Sequence, residues 1–105
     1  MSVVDLDKVD AVGTDKDEDA LRLMIADHLD WENEDIHLEI LQDKINLYLQ
    51  YLENQLYADK YGNDFSKVYI DIYFKEKVTE NCLRFLNAVS EQLNPQNIFI
   101  CTHFD

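Results

Sequence analysis

Glycine and proline are scarce in this chain, with 2 and 1 among 105 residues. That scarcity excludes a glycine-rich phosphate loop and argues against a loop-rich or disordered polypeptide. The two cysteines, Cys82 and Cys101, are too few and too far apart for a disulfide framework or a metal knuckle. They read as buried free thiols of a reducing compartment. No uninterrupted apolar run exceeds four residues, far short of a membrane span. The opening MSVVDLDKVD has neither the basic nor the apolar region of a signal peptide, so a cytoplasmic location is expected. Basic residues are few as well: 9 Lys plus Arg stand against 22 Asp plus Glu, a net charge of −13. A field of that sign repels nucleic-acid backbones and anionic membrane surfaces and favours a basic partner. It also serves plain solubility.

What is present is enough apolar material for a core. Hydrophobic residues make up 47% of the chain, and a single domain over residues 1–105 is expected. Residues 8–13 alternate apolar and polar, and Leu21, Leu23 and Ile25 alternate with Arg22, Met24 and Ala26. Joined by the polar stretch 14–19, they predict a hairpin in which Gly13 marks a bulge or the strand end. Asp30 suits the N-cap of a long helix over about residues 32–57, with Glu32, Glu34 and Asp35 at its positive end. Leu38, Leu41, Ile45, Leu49 and Leu52 form its stripe, and Ile36, Ile40, Leu47 and Tyr51 a second row. An apolar arc this wide implies burial between layers or a face that meets another chain.

Gly62-Asn63 marks a loop. Residues 67–75 then give the clearest strand, with Val68, Ile70, Ile72 and Phe74 on one face and Tyr69, Asp71, Tyr73 and Lys75 on the other. Thr79 is the expected cap of a second helix whose stripe is Cys82, Phe85, Leu86, Val89 and Leu93, and Asn94-Pro95 stops it. Residues 98–104 close the chain as a strand. The order β-β-α-β-α-β predicts an α/β two-layer sandwich, with a four-stranded mixed sheet and two helices on one face. Strands two, three and four should run parallel and strand one antiparallel, while strand order cannot be read from the sequence.

Chemistry-bearing residues crowd one corner: Asp27, His28, Asp30 and Trp31, with His37 further along the helix. If Asp30 caps the helix, His37 lies about 10 Å along its axis, which makes a metal shared by the two awkward. A structural reading therefore comes before a metal or catalytic one, and no cofactor is expected. Asp15, Asp17 and Asp19 have calcium-loop spacing, but Ala20 stands where that loop needs glycine and Ala26 where it needs glutamate. Ser2, Ser66 and Ser90 lack a nucleophile-elbow context, and Cys101 with His103 has no third member. Six tyrosines, Tyr48, Tyr51, Tyr57, Tyr61, Tyr69 and Tyr73, offer contact area with a polar tip, as interfaces use.

Three stretches carry a resemblance: Val9-Asp10-Ala11-Val12-Gly13, the corner Asp27-His28-Leu29-Asp30-Trp31, and the helix Leu41-Gln42-Asp43-Lys44-Ile45-Asn46 with Tyr48-Leu49. In these the chain resembles a family of small, acidic, uncharacterised bacterial proteins sharing V-D-A-x-G, D-H-L-x-W and L-Q-x-K-I-N-x-Y-L. The resemblance implies a bacterial cytoplasmic protein and brings no activity, cofactor or catalytic residue.

The expected function is a protein–protein interaction module that docks a basic partner. An immunity protein neutralising a cationic toxin is one concrete form. The candidate contact residues are Asp27, His28, Asp30, Trp31, Glu32, Glu34, Asp35, Tyr69 and Tyr73. A homodimer built on the extra helix face or an open sheet edge is the alternative. A metal or enzymatic site at Asp27, His28 and His37 ranks below both.

Overall fold

A computed structural model describes residues 3–4, 9–62 and 64–104. Lys8 of the expected first strand, Asn63 of the expected loop and most of the opening decapeptide lie outside the described residues. Strands β1 (Ala11–Asp15) and β2 (Ala20–Asp27) form the hairpin, followed by helix α1 (Glu34–Glu53) and a single turn, α2 (Ala58–Tyr61). Strand β3 (Lys67–Phe74), helix α3 (Glu80–Leu93), a 3-10 turn (Asn94–Gln96) and strand β4 (Ile98–Phe104) complete the chain. The order β-β-α-β-α-β is the one expected, with α2 as an added turn.

The sheet runs β1-β2-β3-β4, antiparallel at the hairpin and parallel elsewhere. Each parallel connection therefore joins neighbouring strands through a helix, the arrangement that keeps crossovers short. Leu21, Leu23 and Ile25 of β2 and Ile70, Ile72 and Phe74 of β3 turn to the same side. There they pack with Leu41, Ile45 and Tyr48 of α1 and with Cys82 and Leu86 of α3, all buried. Strand alternation sends the residues between them to the opposite side, which no helix among the described residues covers.

Several local expectations need correction. The first strand starts at Ala11 rather than residue 8, and Gly13 stays in register opposite Arg22, so it is neither a bulge nor the strand end. Helix α1 spans Glu34–Glu53 instead of residues 32–57, because Asn54–Tyr57 turn away through Gln55 in the left-handed region. Asp30 does not cap α1. Asn33 occupies that position and makes no side-chain cap bond, while Asp30 accepts from the Glu32 amide in a tight turn before the helix. Thr79 caps α3 as expected, its hydroxyl accepting from the Cys82 amide at 3.1 Å. The second apolar row of α1 divides. Leu47 and Tyr51 pack at the edge of the core, but Ile36 is 57% exposed.

Candidate functional site

The corner at the end of β2 is an internal brace. Asp27 is buried, and its carboxylate accepts from His37 Nε2 at 2.7 Å and from the Leu29 amide at 3.1 Å. His37, also buried, donates from Nδ1 to the Asp30 carbonyl at 2.8 Å. Both ring nitrogens thus lie within hydrogen-bond distance of oxygen atoms that fix the ring's orientation. Trp31 stacks on it with ring centroids 3.6 Å apart and seals it from solvent. Asp30 and His37, which cap geometry would separate, are therefore joined through the Asp30 backbone. The carboxylate and imidazole of this set are occupied, while the buried Trp31 Nε1 has no hydrogen-bond partner among the described residues. Among the described residues no three His, Cys, Asp or Glu groups converge as a metal site.

A second brace fastens α1 to the hairpin. Lys44 is fully buried and donates to the Asp10 carboxylate at 2.8 Å, whose other oxygen accepts from the Ala26 amide. The Asp10 amide donates to the Tyr48 hydroxyl, which donates onward to the Met24 carbonyl. Burial, with the Asp10 charge adding to it, pushes the Tyr48 hydroxyl well above its ordinary pKa. Tyr48, one of the six tyrosines offered as contact area, is interior.

The remaining sequence candidates lie in two places. Glu32, Glu34 and Asp35 line a shallow acidic recess with Asn33 and Ile36. Within it the Glu34 carboxyl is held below its usual range by hydrogen bonds from Thr79 and Asn81 at the start of α3. His28 is exposed and shares a groove with Ala26, Asp27, Tyr73, Phe74 and Lys75 at the C-terminal ends of β2 and β3. Crevices at that end of a parallel sheet are common ligand sites, but this one holds about 160 Å³, below the roughly 300 Å³ at which small-molecule pockets begin.

Tyr69 and Tyr73 stand on the uncovered face of the sheet, where the sequence reading missed most of the chemistry. Asp71 projects between them from the middle of β3, yet its side chain is only 3% exposed. Arg22 of β2 grips it with both Nη1 contacts at 2.9 and 3.0 Å, donates from Nε to Asp15 of β1 at 3.0 Å, and lies over the Tyr69 ring at 4.2 Å. From β4, His103 donates Nε2–H to Asp71 at 2.9 Å and stacks on Tyr73 with centroids 4.4 Å apart. Phe99 packs beside Tyr69. One chain of hydrogen bonds thus crosses all four strands.

Charge follows this geometry. Burial works against the Arg22 cation, but the hydrogen bonds it donates to Asp15 and Asp71 outweigh it and raise its pKa further. The same Arg22 bond, helped by the Glu18 amide, lowers that of Asp15. Cys101 sits between Phe99 and His103 on this face, and burial followed by the nearby Asp71 charge raises its thiol pKa. A raised thiol is a poor nucleophile, so the Cys101–His103 pair lacks the thiolate that such chemistry needs.

A family model described as "Family of unknown function (DUF6572)" matches residues 1–105. The chain belongs to DUF6572. The match covers the whole chain, and the matched family is one of unknown function. No curated protein and no solved structure matches the chain. Of the residues that carried the resemblance, Asp10, Lys44 and Tyr48 make one buried brace, and Asp27 and Trp31 belong to the other. In this DUF6572 chain those motifs hold the fold together, and the uncovered sheet face is where unburied aromatic surface collects. No described helix is long and apolar enough to cross a membrane.

Proposed function

We propose that this chain is a protein-interaction module that takes a basic partner on the uncovered face of its sheet. The observation that carries the reading is the aromatic platform of Tyr73 and His103. The two rings are stacked, Tyr73 is 46% exposed, and the platform is anchored beneath by the buried Asp71. Phe104, 55% exposed, alternates to the other side of β4, where it stacks on Phe74, and is not part of the platform. Rigid aromatic side chains on a fixed scaffold lose little entropy on binding, which is why they anchor interfaces. The surrounding charge of −13 supplies attraction for a cationic partner at long range, and Tyr and Phe rings accept Lys and Arg in cation–π contact. Asp27, Asp30 and Trp31 belong to the brace around His37 on the helix side and are not part of this surface. His28 borders it at the groove it shares with Tyr73.

The test is affinity capture from the source cell with the tagged full-length chain at low and moderate salt. A stoichiometric basic protein, released as salt rises and retained poorly by Tyr73→Ala, is the expected result. A captured partner indifferent to both salt and Tyr73→Ala would overturn the reading.

A further inference from the structure

Strand β4 is an edge of the sheet, paired with β3 on one side only. The Val68 amide donates to the Asn97 carbonyl at 2.9 Å. Parallel pairing in the observed register then turns the backbone groups of Phe99, Cys101 and His103 toward β3. It leaves those of Ile98, Ile100, Thr102 and Phe104 facing outward. A long apolar edge presenting amides and carbonyls is a template for another strand.

The opposite edge is protected. Strand β1 has five residues and ends in Asp15 before an acidic turn, and beyond its other end the Ala26 carbonyl and amide are taken by the Val3 amide and the Asp10 carboxylate. Strand β4 has no comparable device among the described residues. Its seven residues, IFICTHF, include no proline, acid, lysine or arginine, and the pairing with β3 shows no bulge. Among the described residues only the Ile98 carbonyl is held, by the Asn94 side-chain amide at 3.3 Å when that amide is oriented to suit its acceptors.

Charge selects the occupant. In a chain of net charge −13, residues 92–104 contain no Asp, Glu, Lys or Arg and form the longest such run. A second copy, repelled elsewhere by like charge, meets no acid along this strand. A basic partner gains nothing from it. We propose that two copies pair antiparallel along β4 about a two-fold axis at Cys101, joining their sheets into one. That register overlaps the whole strand, sets Ile100 opposite Thr102 and Ile98 opposite Phe104, and turns outward backbone groups toward each other. The two uncovered faces become continuous. This pairing stands or falls independently of the basic-partner reading.

Sedimentation velocity of the reduced full-length chain across the micromolar range tests it. Thr102→Pro removes one outward amide without touching the ladder to β3, a position where edge strands tolerate proline. Thr102→Glu places like charges across the axis at an exposed position and serves if the proline variant fails to fold. The expected result is a wild-type dimer and association at least about tenfold weaker in a folded variant. A wild type that stays monomeric, or folded variants that dimerise as wild type does, would overturn the proposal. A short bifunctional maleimide reports the register, because Cys101 would lie beside its own copy while Cys82 is buried. A covalent dimer absent from Cys101→Ser is expected. Sedimenting dimers that resist this linkage would overturn the Cys101-centred register.

Discussion

Asp71 sits at the centre of the uncovered face with almost none of its side chain in water, and its neighbours follow from that. A buried carboxylate is tolerable only when paired and hydrogen-bonded, and Arg22 and His103 supply both. Removing the acid would strand the partly buried Arg22, so Asp71→Ala should cost about 3 kcal/mol in urea unfolding. Arg84→Ala, at an exposed pair with Glu80, should cost no more than about 0.5 kcal/mol. The hint was in the sequence: an acid in the middle of V-Y-I-D-I-Y-F needs a partner, and Arg22 is the lone base of β2. Alternation told which face each residue takes, but not that β2 and β4 flank β3, so Arg22 and His103 could not be assigned to Asp71. Trp31, His37 and Asp27 were seen as one cluster but misjudged in geometry, because Asp30 was given the cap that falls to Asn33.

Individual titrations carry stability as well. Burial pushes the Cys82 thiol up to about 12 and raises the Tyr48 hydroxyl. Both groups favour their neutral forms in the fold, so their contribution is complete below their unfolded pKa values of about 8.5 and 10. It is lost as pH climbs from there through the folded values. Unfolding free energy should therefore fall on the alkaline side, and Cys82→Ala should flatten the first part of that slope. Asp15 and Glu34 run the other way. Their lowered pKa values stabilise the fold above about pH 4 and lose that contribution as pH falls. Glu34→Gln should flatten the acid limb in the same experiment.

At the scale of elements, the strands and helices were legible because each has a clean period. The two-residue alternation of β3 and the stripe of α3 predict what is observed, including the Thr79 cap. Thr79→Ala should cost about 1 kcal/mol, read by thermal or urea unfolding, since it orphans the Cys82 amide. The ends of α1 were less legible. Apolar residues continue past Glu53 in Leu56 and Tyr57, so periodicity alone runs on, while the positive φ of Gln55 that breaks the helix has no strong signature. The wide apolar arc of α1 has a partial explanation in Val9, which lines a groove with Leu47, Tyr51 and Leu56. Lys44 interrupts that arc and is buried anyway, because Asp10 from the hairpin meets it.

For the whole molecule, composition and connectivity sufficed for the α/β sandwich, and the strand order β1-β2-β3-β4 is the information only the structure adds. The imbalance of 22 acids against 9 bases makes self-repulsion a general cost of folding. Melting temperature should consequently rise between low and moderate salt, since screening weakens exposed repulsions more than the buried Asp10–Lys44 and Asp27–His37 pairs. A flat or falling response would mean that exposed attractions, not net charge, dominate. Where a partner docks is the central question, and two exposed residues on different faces separate the answers. Capture with Tyr73→Ala and Ile36→Ala, side by side at low salt, is the most direct measurement. The uncovered-face account predicts that Tyr73→Ala loses the partner and Ile36→Ala keeps it. Loss with Ile36→Ala and retention with Tyr73→Ala would put the docking surface on α1 and contradict the account.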